Sequence, residues 1–467
     1  MADPELGGPA MARTATTSST ESFWLAGRGG AMYGALRDGV TADVVVVGGG
    51  IAGVTTALRL QREGVRVVLL EAVAIGSGVT GNTSAKVSAL QGTTLSAIAS
   101  RHRSDVADVY AAATAAAVAD VATLAAEEQI DCDLDRRPAV TYAASTGDLD
   151  ALTDEFDAMT AAGLPIQWRD EDAGQPYRVS GAIWLHDQIA FQPVEYVRGL
   201  TMAFVRDGGR IYDNSRVLSV KTGSPCEVRT PEGVVRAGQV VIATHYPILD
   251  RGLLFTRLEA QRSYCIAAAI RGPAPATMAI SADSPTRSIQ FTGDTVIVGG
   301  EGHAAGQANV GTERFRSFGA IRRRALGCDR DRRSLVGPGS GAPRPSADDR
   351  SAPPPVKDTV GRDRWAKWGL TGGTFAARIL TEVILGREHE WAPTLTPSRL
   401  TIGATPKIGE LARVETLPGS ARRRGRSECR SVRAGVVGQA SVVSRQALVV
   451  SRCVLRSTPA RFLWARS

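Results

Sequence analysis

Residues 43–71 read DVVVVGGGIAGVTTALRLQREGVRVVLLE, and the fold follows from how this stretch is put together. Val44 to Val47 is an unbroken β-branched run, the composition of a strand covered on both faces of a parallel sheet. Gly48, Gly50 and Gly53 follow as G-x-G-x-x-G, and Ile51, Val54 and Leu58 then recur at helical spacing until Gly64. Val65 to Leu70 reads as a second buried strand, with Glu71 at its end. Gly48 permits a tight turn, Gly50 lets the backbone approach a pyrophosphate, and Gly53 lets helix and strand pack closely. The helix start at Ile51 and Ala52 offers free N–H groups and partial positive charge to that pyrophosphate. Glu71 stands 21 residues after Gly50, where an acidic side chain takes an adenosine ribose hydroxyl. A lone glycine motif says little. Strand, turn, helix, strand and terminal acid in register specify a dinucleotide site in a Rossmann-like α/β domain.

The chain has 467 residues, enough for two or three domains. Its six cysteines are far apart, with no C-x-x-C, C-x-H or C-x-x-H. That spacing argues against a metal site or a disulfide scaffold and suits a reducing, cytoplasmic setting. No basic segment followed by an apolar one opens the chain, and no stretch reads as the ~18 apolar residues of a membrane helix. The net charge of +8 would suggest a polyanion partner, but its distribution does not. Residues 316–364 carry +6 and residues 412–467 carry +10, which leaves the rest of the chain at −8. No nucleic-acid or membrane partner is expected.

Residues 1–21 are Ala/Ser/Thr-rich and expected to be disordered, while Phe23 to Leu25 can dock on the body. The loop IGSGVTGNTSAKVS, Ile75 to Ser88, has the glycines, hydroxyls and lysine to wrap a cofactor; an ordinary solvated loop is the alternative. Helices are expected over Ser104–Glu128 with Ser104 as N-cap, over Gly147–Ala162 and over Val194–Val205. Strands are expected at Pro138–Ala144, Ala182–Leu185, Arg210–Val220, Glu227–Val235 and Gln239–Ala243, with His186–Pro193 a loop. Gln261–Ile270, Met278–Ser281, Ser288–Phe291 and Thr295–Val298 suggest an antiparallel sheet in a second, split domain of mixed character.

These segments together resemble FAD-dependent oxidoreductases of the D-amino acid oxidase/glycine oxidase superfamily. The nearest likeness is to the bacterial branch with a C-terminal Rieske domain. The resemblance rests on Gly48–Glu71, GSGVTGNTSAKVS, FQPVEYVRGL from Phe191 and ATHYPILDRG from Ala243. It rests also on QRSYCIA from Gln261, SADSPTR from Ser281, VGGEGH from Val298 and KWGLTGGTFAARILTEVILGRE from Lys367. It implies an FAD cofactor held at the pyrophosphate by Gly48, Gly50 and Gly53 and at the ribose by Glu71. Ser77, Gly78, Thr83, Ala85, Lys86 and Val87 would line the diphosphate and flavin, Val217 would meet the adenine, and Ala243 would close the cofactor strand. Gly369, Leu370, Thr371, Gly372 and Thr374 would open a helix aimed at the flavin N1/O2 edge. The implied domains are FAD-binding over 22–91, 190–248 and 365–400, and substrate-binding over 92–189 and 249–315.

Two segments depart from the family pattern. Residues 316–364 are Arg/Pro/Gly/Asp-rich without apolar periodicity, where the family has an aromatic, acidic W-S-x-Q-D-like strand. Residues 412–467 form a basic, low-order tail where a Rieske domain would carry its Cys/His ligands, and those ligands are absent. A shifted reading frame is the favoured account of both, with genuine insertion the alternative. The chemistry implied is hydride transfer from a small amine or amino-acid-like substrate to flavin N5, with dioxygen or a redox protein as electron acceptor. A catalytically impaired FAD-binding remnant is the other reading. Arg262 and Tyr264, two apart on one strand, are candidates to meet the substrate, and His303 is a candidate near the flavin. No metal constellation is expected.

Overall fold

The computed structural model describes residues 22–28, 30–246, 248, 261–270, 272–304 and 368–395, together with three strands between 440 and 466. In chain order the elements begin β1 (Gly39–Val47), α1 (Ile51–Arg62), β2 (Val67–Leu70), β3 (Lys86–Val87) and α2 (Thr94–Ala99). Then come α3 (Ser104–Glu127), β4 (Asp135–Ala143), α4 (Leu149–Ala161), β5 (Ile166–Arg169), β6 (Gly181–Ala190) and α5 (Pro193–Arg206). Next are β7 (Arg210–Tyr212), β8 (Ser219–Lys221), β9 (Cys226–Arg229), β10 (Val234–Ile242), β11 (Gln261–Ala269), β12 (Met278–Ser281) and β13 (Ser288–Thr292). The order closes with β14 (Thr295–Ala304), α6 (Gly369–Ile384), α7 (Ala392–Leu395), β15 (Ala440–Val443), β16 (Ala447–Arg452) and β17 (Phe462–Arg466).

Two mixed sheets result. The first has the order β17-β16-β10-β1-β2-β7, and its middle pairs (β10 with β1, β1 with β2, β2 with β7) are parallel. Val44 to Val47 are all buried, as a two-faced central strand requires. One face packs under α1, α5 and α6 in the main core, and the other packs against the β8–β9 ribbon through Val45, Val68, Val228 and Val240. The second sheet has the order β15-β11-β14-β13-β12-β4-β6-β3. Its one face, through Ala139, Ile183, Leu185 and Met278, joins the core formed with α3 and α4. Its other face builds a separate cluster around Tyr142, Trp184, Tyr264 and Phe291. β3 belongs to this second sheet, pairing antiparallel with β6, although it is separated by only a loop from the first.

Several local expectations are corrected. The strand that ends at Leu185 by pattern continues to Ala190, because β4 and β3 pair with its polar half. Asp187 absorbs the irregularity with a φ of +65°. Arg210–Val220 is two short strands, not one. Asp213 and Ser215 turn out of the sheet so that Asp213 Oδ2 accepts from the N–H of Met32 (2.7 Å) and Tyr33 (3.1 Å), and Ser215 Oγ from Leu36 N–H (2.9 Å). Glu227–Val235 is a hairpin, closed where Thr230 N–H donates to Gly233 O (2.9 Å) and Gly233 N–H to Thr230 Oγ1 (3.0 Å). Ser104 is the first helical residue of α3, and the N-cap is Arg103 with extended backbone and no side-chain cap. α3 is also, by length and hydropathy, apolar enough to cross a membrane, against the sequence expectation, because its many alanines raise the mean. Half of that window is buried within the protein, where Ala113, Ala117, Val121 and Leu124 join the main core. The C-terminal tail, expected to be low-order, contributes β15 to the edge of the second sheet and β16–β17 to the edge of the first. Added strands satisfy the unpaired backbone groups that an open edge leaves. Cys132 and Cys265 are free thiols, while Cys226 is disulfide-bonded, which sequence spacing did not suggest because bridging depends on proximity in space.

Candidate cofactor-binding site

The turn after β1 is built by steric exclusion. Gly48 has a φ of +113°, and a Cβ there would stand 2.4 Å from the carbonyl oxygen of Ala243 at the end of β10. A Cβ on Gly53 would lie 2.0 Å from the Gly48 carbonyl oxygen, so α1 can start this close to its strand only with glycine. Gly50 is the N-cap of α1 and has no side chain to cap it, which leaves the N–H groups of Ala52 and Gly53 without an intrahelical acceptor. Ala243, predicted to close the cofactor strand, hydrogen-bonds through its N–H to Val47 O at 2.7 Å.

Glu71 sits beside that turn. One carboxylate oxygen accepts from Gly49 N–H at 2.6 Å and the other from Val73 N–H at 3.0 Å. Burial raises its pKa, against the lowering effect of these backbone donors, and Asp213 nearby raises it further. Sequence reasoning missed two residues here. Thr80 Oγ1 accepts from Ile51 N–H at 3.1 Å and lies 3.2 Å from where a Cβ on Gly50 would be, so it faces the open helix end. Its signal was a hydroxyl inside the glycine-rich loop. Asp213 had no signal, since only the fold brings it beside Glu71. Val217, predicted to meet the adenine, lies between β7 and β8, partly buried against the core cluster of β1 and β10.

The loop after β2 runs from this turn to the second sheet. Ser77 Oγ donates to Ala74 O (2.7 Å), Gly78 O accepts from Asn82 Nδ2 (2.7 Å), and Thr83 Oγ1 accepts from Ala85 N–H (3.3 Å). Ala85 takes a φ of +56° and is fully buried. Lys86 follows, buried, with Nζ donating to Ala279 O at 2.9 Å and lying 5.9 Å from the centre of the Trp368 ring. Burial pulls Lys86 down to about 7, and the Cys265 thiol pushes back up. Val87 is buried in the main core, and Ser88 N–H donates to Thr371 Oγ1 at 3.1 Å. This bond ties the loop to the first turn of α6.

α6 opens at the predicted glycines, with Trp368 as N-cap. The N–H groups of Gly369, Leu370 and Thr371 have no intrahelical acceptor, whereas Gly372 N–H already bonds Trp368 O at 2.9 Å. Thr374 Oγ1 donates back to Leu370 O at 2.8 Å. A Cβ on Gly373 would come within 3.0 Å of Ala52 Cβ, so the starts of α1 and α6 touch. Two positive helix ends therefore come close together, with Glu71 bonded at the turn before α1 and Lys86 near Trp368 at the start of α6.

The catalytic candidates divide. Tyr264 Oη and His303 Nε2 are 3.0 Å apart with stacked rings, both buried. Arg262 stands opposite His303 in register, but the ladder shifts between Arg262 and Tyr264. Strict alternation, which would aim Arg262 and Tyr264 at one face, therefore does not hold there; the Arg262 side chain lies outside the described residues. Tyr264 packs with Tyr142, Trp184 and Phe291, while Ala85 meets Cys265, Ala267 and Ile297 on the other face of the same strands. The Tyr264–His303 pair is thus across the sheet from the loop that carries Lys86. On the loop's side stand Ser288, 3.4 Å from Ser84 Oγ, and by alternation Gln290, whose buried Oε1 has no partner. Among the described residues no group of three or more His, Cys, Asp or Glu side chains could hold a metal ion.

This geometry is that of a known family. Residues 43–383 match the DAO family, FAD dependent oxidoreductase. The chain belongs to that family. It is an FAD-dependent oxidoreductase, with the mixed α/β fold of glycine oxidase and its relatives. Among curated proteins it is 27% identical over 400 residues to one named Putative Rieske 2Fe-2S iron-sulfur protein YhfW, of Bacillus subtilis (strain 168). That match covers 81% of this chain and 75% of the relative. It is 28% identical over 242 residues to gamma-glutamylputrescine oxidoreductase of Escherichia coli (strain K12), covering 50% of this chain and 56% of that protein. Glycine oxidase from Geobacillus kaustophilus superimposes with a TM-score of 0.58 at 15% identity, over 78% of this chain and all of that one. L-proline dehydrogenase from P. horikoshii gives 0.57 at 16% identity, over 75% and 95%. The residues present fit the family's cofactor: the turn that only glycine can make, the free N–H groups at the starts of α1 and α6, and the buried side-chain oxygens of Asn82 and Gln290 that have no partner.

Proposed function

We propose that the chain oxidises a small amine or amino-acid-like substrate, with hydride passing from the substrate to flavin N5. The meeting of the α1 and α6 N-termini, with Lys86 buried beside them, carries this reading. Bound FAD supplies the hydride acceptor. Gly48, Gly50, Ile51, Ala52 and Gly53 would present backbone to its pyrophosphate, and Glu71 would accept from its ribose. Gly369 to Thr371, whose N–H groups have no intrahelical acceptor, would stabilise the negative charge that reduction places on the cofactor. Lys86, buried and poised near 7, holds or releases a proton at Nζ, 5.9 Å from the centre of the Trp368 ring. The oxidoreductase named for gamma-glutamylputrescine supports an amine as substrate, and we assign dioxygen or a redox protein as electron acceptor.

An absorbance spectrum of the purified protein from 300 to 600 nm tests this. Flavin bands that bleach anaerobically on adding a small amine or amino acid are expected; a colourless protein that gains no bands with added FAD rejects the reading. A second reading, an FAD-binding chain with impaired turnover, is favoured by one observation. The Arg/Pro-rich run 316–364 stands between β14 and α6, where the family resemblance implies a patterned strand. Bound flavin that dithionite bleaches and no amine does would select it.

A further inference from the structure

The segment Ser22–Arg28 belongs to neither sheet, yet its groups grip the loop that carries Ser77 to Lys86. Ser22 Oγ donates to the carbonyl of Gly81, and Trp24 Nε1 donates to the carbonyl of Thr83 at 2.7 Å. The Leu25 side chain fills the space where a Cβ on Gly81 would come within 2.9 Å. The Trp24 ring is 3% exposed and packs among Ala85, Val194, Ala267 and Ile297. One indole therefore touches the loop, the start of α5 and two strands of the second sheet. α5 holds the segment from its other side. Gln192 Nε2 donates to Trp24 O at 3.0 Å, Glu195 pairs with Arg28 at 2.8 Å, and Arg198 donates to Arg28 O.

We propose that Ser22–Arg28 is a clamp that holds the cofactor loop in its binding conformation against the second sheet, with Trp24 as the positioning residue. The proposal rests on the assignment of residues 77–87 as the loop that holds FAD. Untied, the glycines at 76, 78 and 81 would give this loop many conformations, and Gly76 already uses a φ of +72°. Two bonds to its carbonyls and a buried ring against Ala85 remove them before the cofactor arrives, and preorganisation raises affinity. Because the same ring rests on Ala267 and Ile297, the clamp also fixes the loop's distance from the substrate-side strands.

Trp24→Phe keeps a ring and removes the N–H donor; Ser22→Ala removes the other bond. Each full-length variant is compared with the parent by amide hydrogen exchange over residues 77–85 without cofactor, by FAD affinity from flavin fluorescence, and by exchange in α3 and α4. Loop exchange about five- to tenfold faster, FAD bound weaker by a similar factor, and α3 and α4 unchanged are expected. Unchanged loop exchange in both variants overturns the clamp. Exchange that quickens equally in α3 and α4 gives Trp24 a merely structural role and overturns it too. Faster loop exchange with FAD affinity intact overturns the assignment of the loop on which the proposal rests.

Discussion

The glycine turn after β1 and the seam around Lys86, which the proposed function assigns to one cofactor, are made of opposite materials. The turn is assembled from neighbours in sequence: Gly48, Gly50 and Gly53 shape it, and Glu71 closes it across one strand. It works by leaving side chains out. The seam is assembled from Lys86, Ala279, Cys265 and Trp368, which are scattered over 283 positions and meet only in the fold. It works by burying a charge. A region defined by steric exclusion tolerates almost no substitution, whereas one defined by electrostatics responds to pH.

The largest effect is expected at the turn. Gly53→Ala drives a methyl into the Gly48 carbonyl, so FAD binding should be lost and stability should fall by about 3 kcal/mol, read by urea unfolding. Retained flavin in that variant would show that the turn relaxes and that the contrast with the seam is weaker than drawn. At the seam, Lys86 holds its proton less tightly folded, at about 7, than at the ordinary lysine value of 10.5. The unfolded chain therefore binds more protons between those values, stability rises with pH across that window, and the burial penalty is complete below about 7. Lys86→Met should make the cofactor-free protein more stable than the parent at pH 6 by about 3 kcal/mol, with the gap closing toward pH 10. Parallel melting curves across that range would mean that Lys86 is solvated and the seam open.

Glu71→Gln sits between the two regimes, since it removes charge but keeps an acceptor. FAD should bind about tenfold more weakly, measured by flavin fluorescence, with little change in the visible spectrum of the bound form. Glu155 provides the smallest effect, away from both regions. It accepts from Leu95 N–H (3.1 Å) and Ser96 N–H (2.7 Å), and burial raises it to about 7. Its native proton stabilises fully below about 4.5, and that contribution is lost as pH rises through 7. Glu155→Gln should flatten the decline by about 1 kcal/mol, visible as a smaller drop in Tm between pH 5 and 8 while FAD affinity stays the same.

The sequence by itself determined the dinucleotide half, because there every requirement is local. A β-branched run, three glycines and an acid at fixed spacing leave one economical backbone path, and β1, α1 and β2 follow it. The glycines before Phe375 read as a helix start through the family resemblance, and α6 opens there. Local pattern failed where polar residues serve partners far away. Asp213 and Ser215 break an apolar run in order to hold Met32, Tyr33 and Leu36, and His186-Asp187 interrupts β6 without ending it. Tyr264 and His303 read as separate candidates; their contact was not legible, because β12 and β13 come between β11 and β14 in the chain and the register shifts between Arg262 and Tyr264. Only the tertiary structure decided that Trp24 docks on the loop at Thr83 and Ala85, that Thr80 accepts from the first N–H of α1, and that Lys86 is buried near Trp368. Burial and charge at such places depend on what the rest of the chain brings near, and sequence spacing does not carry that distance.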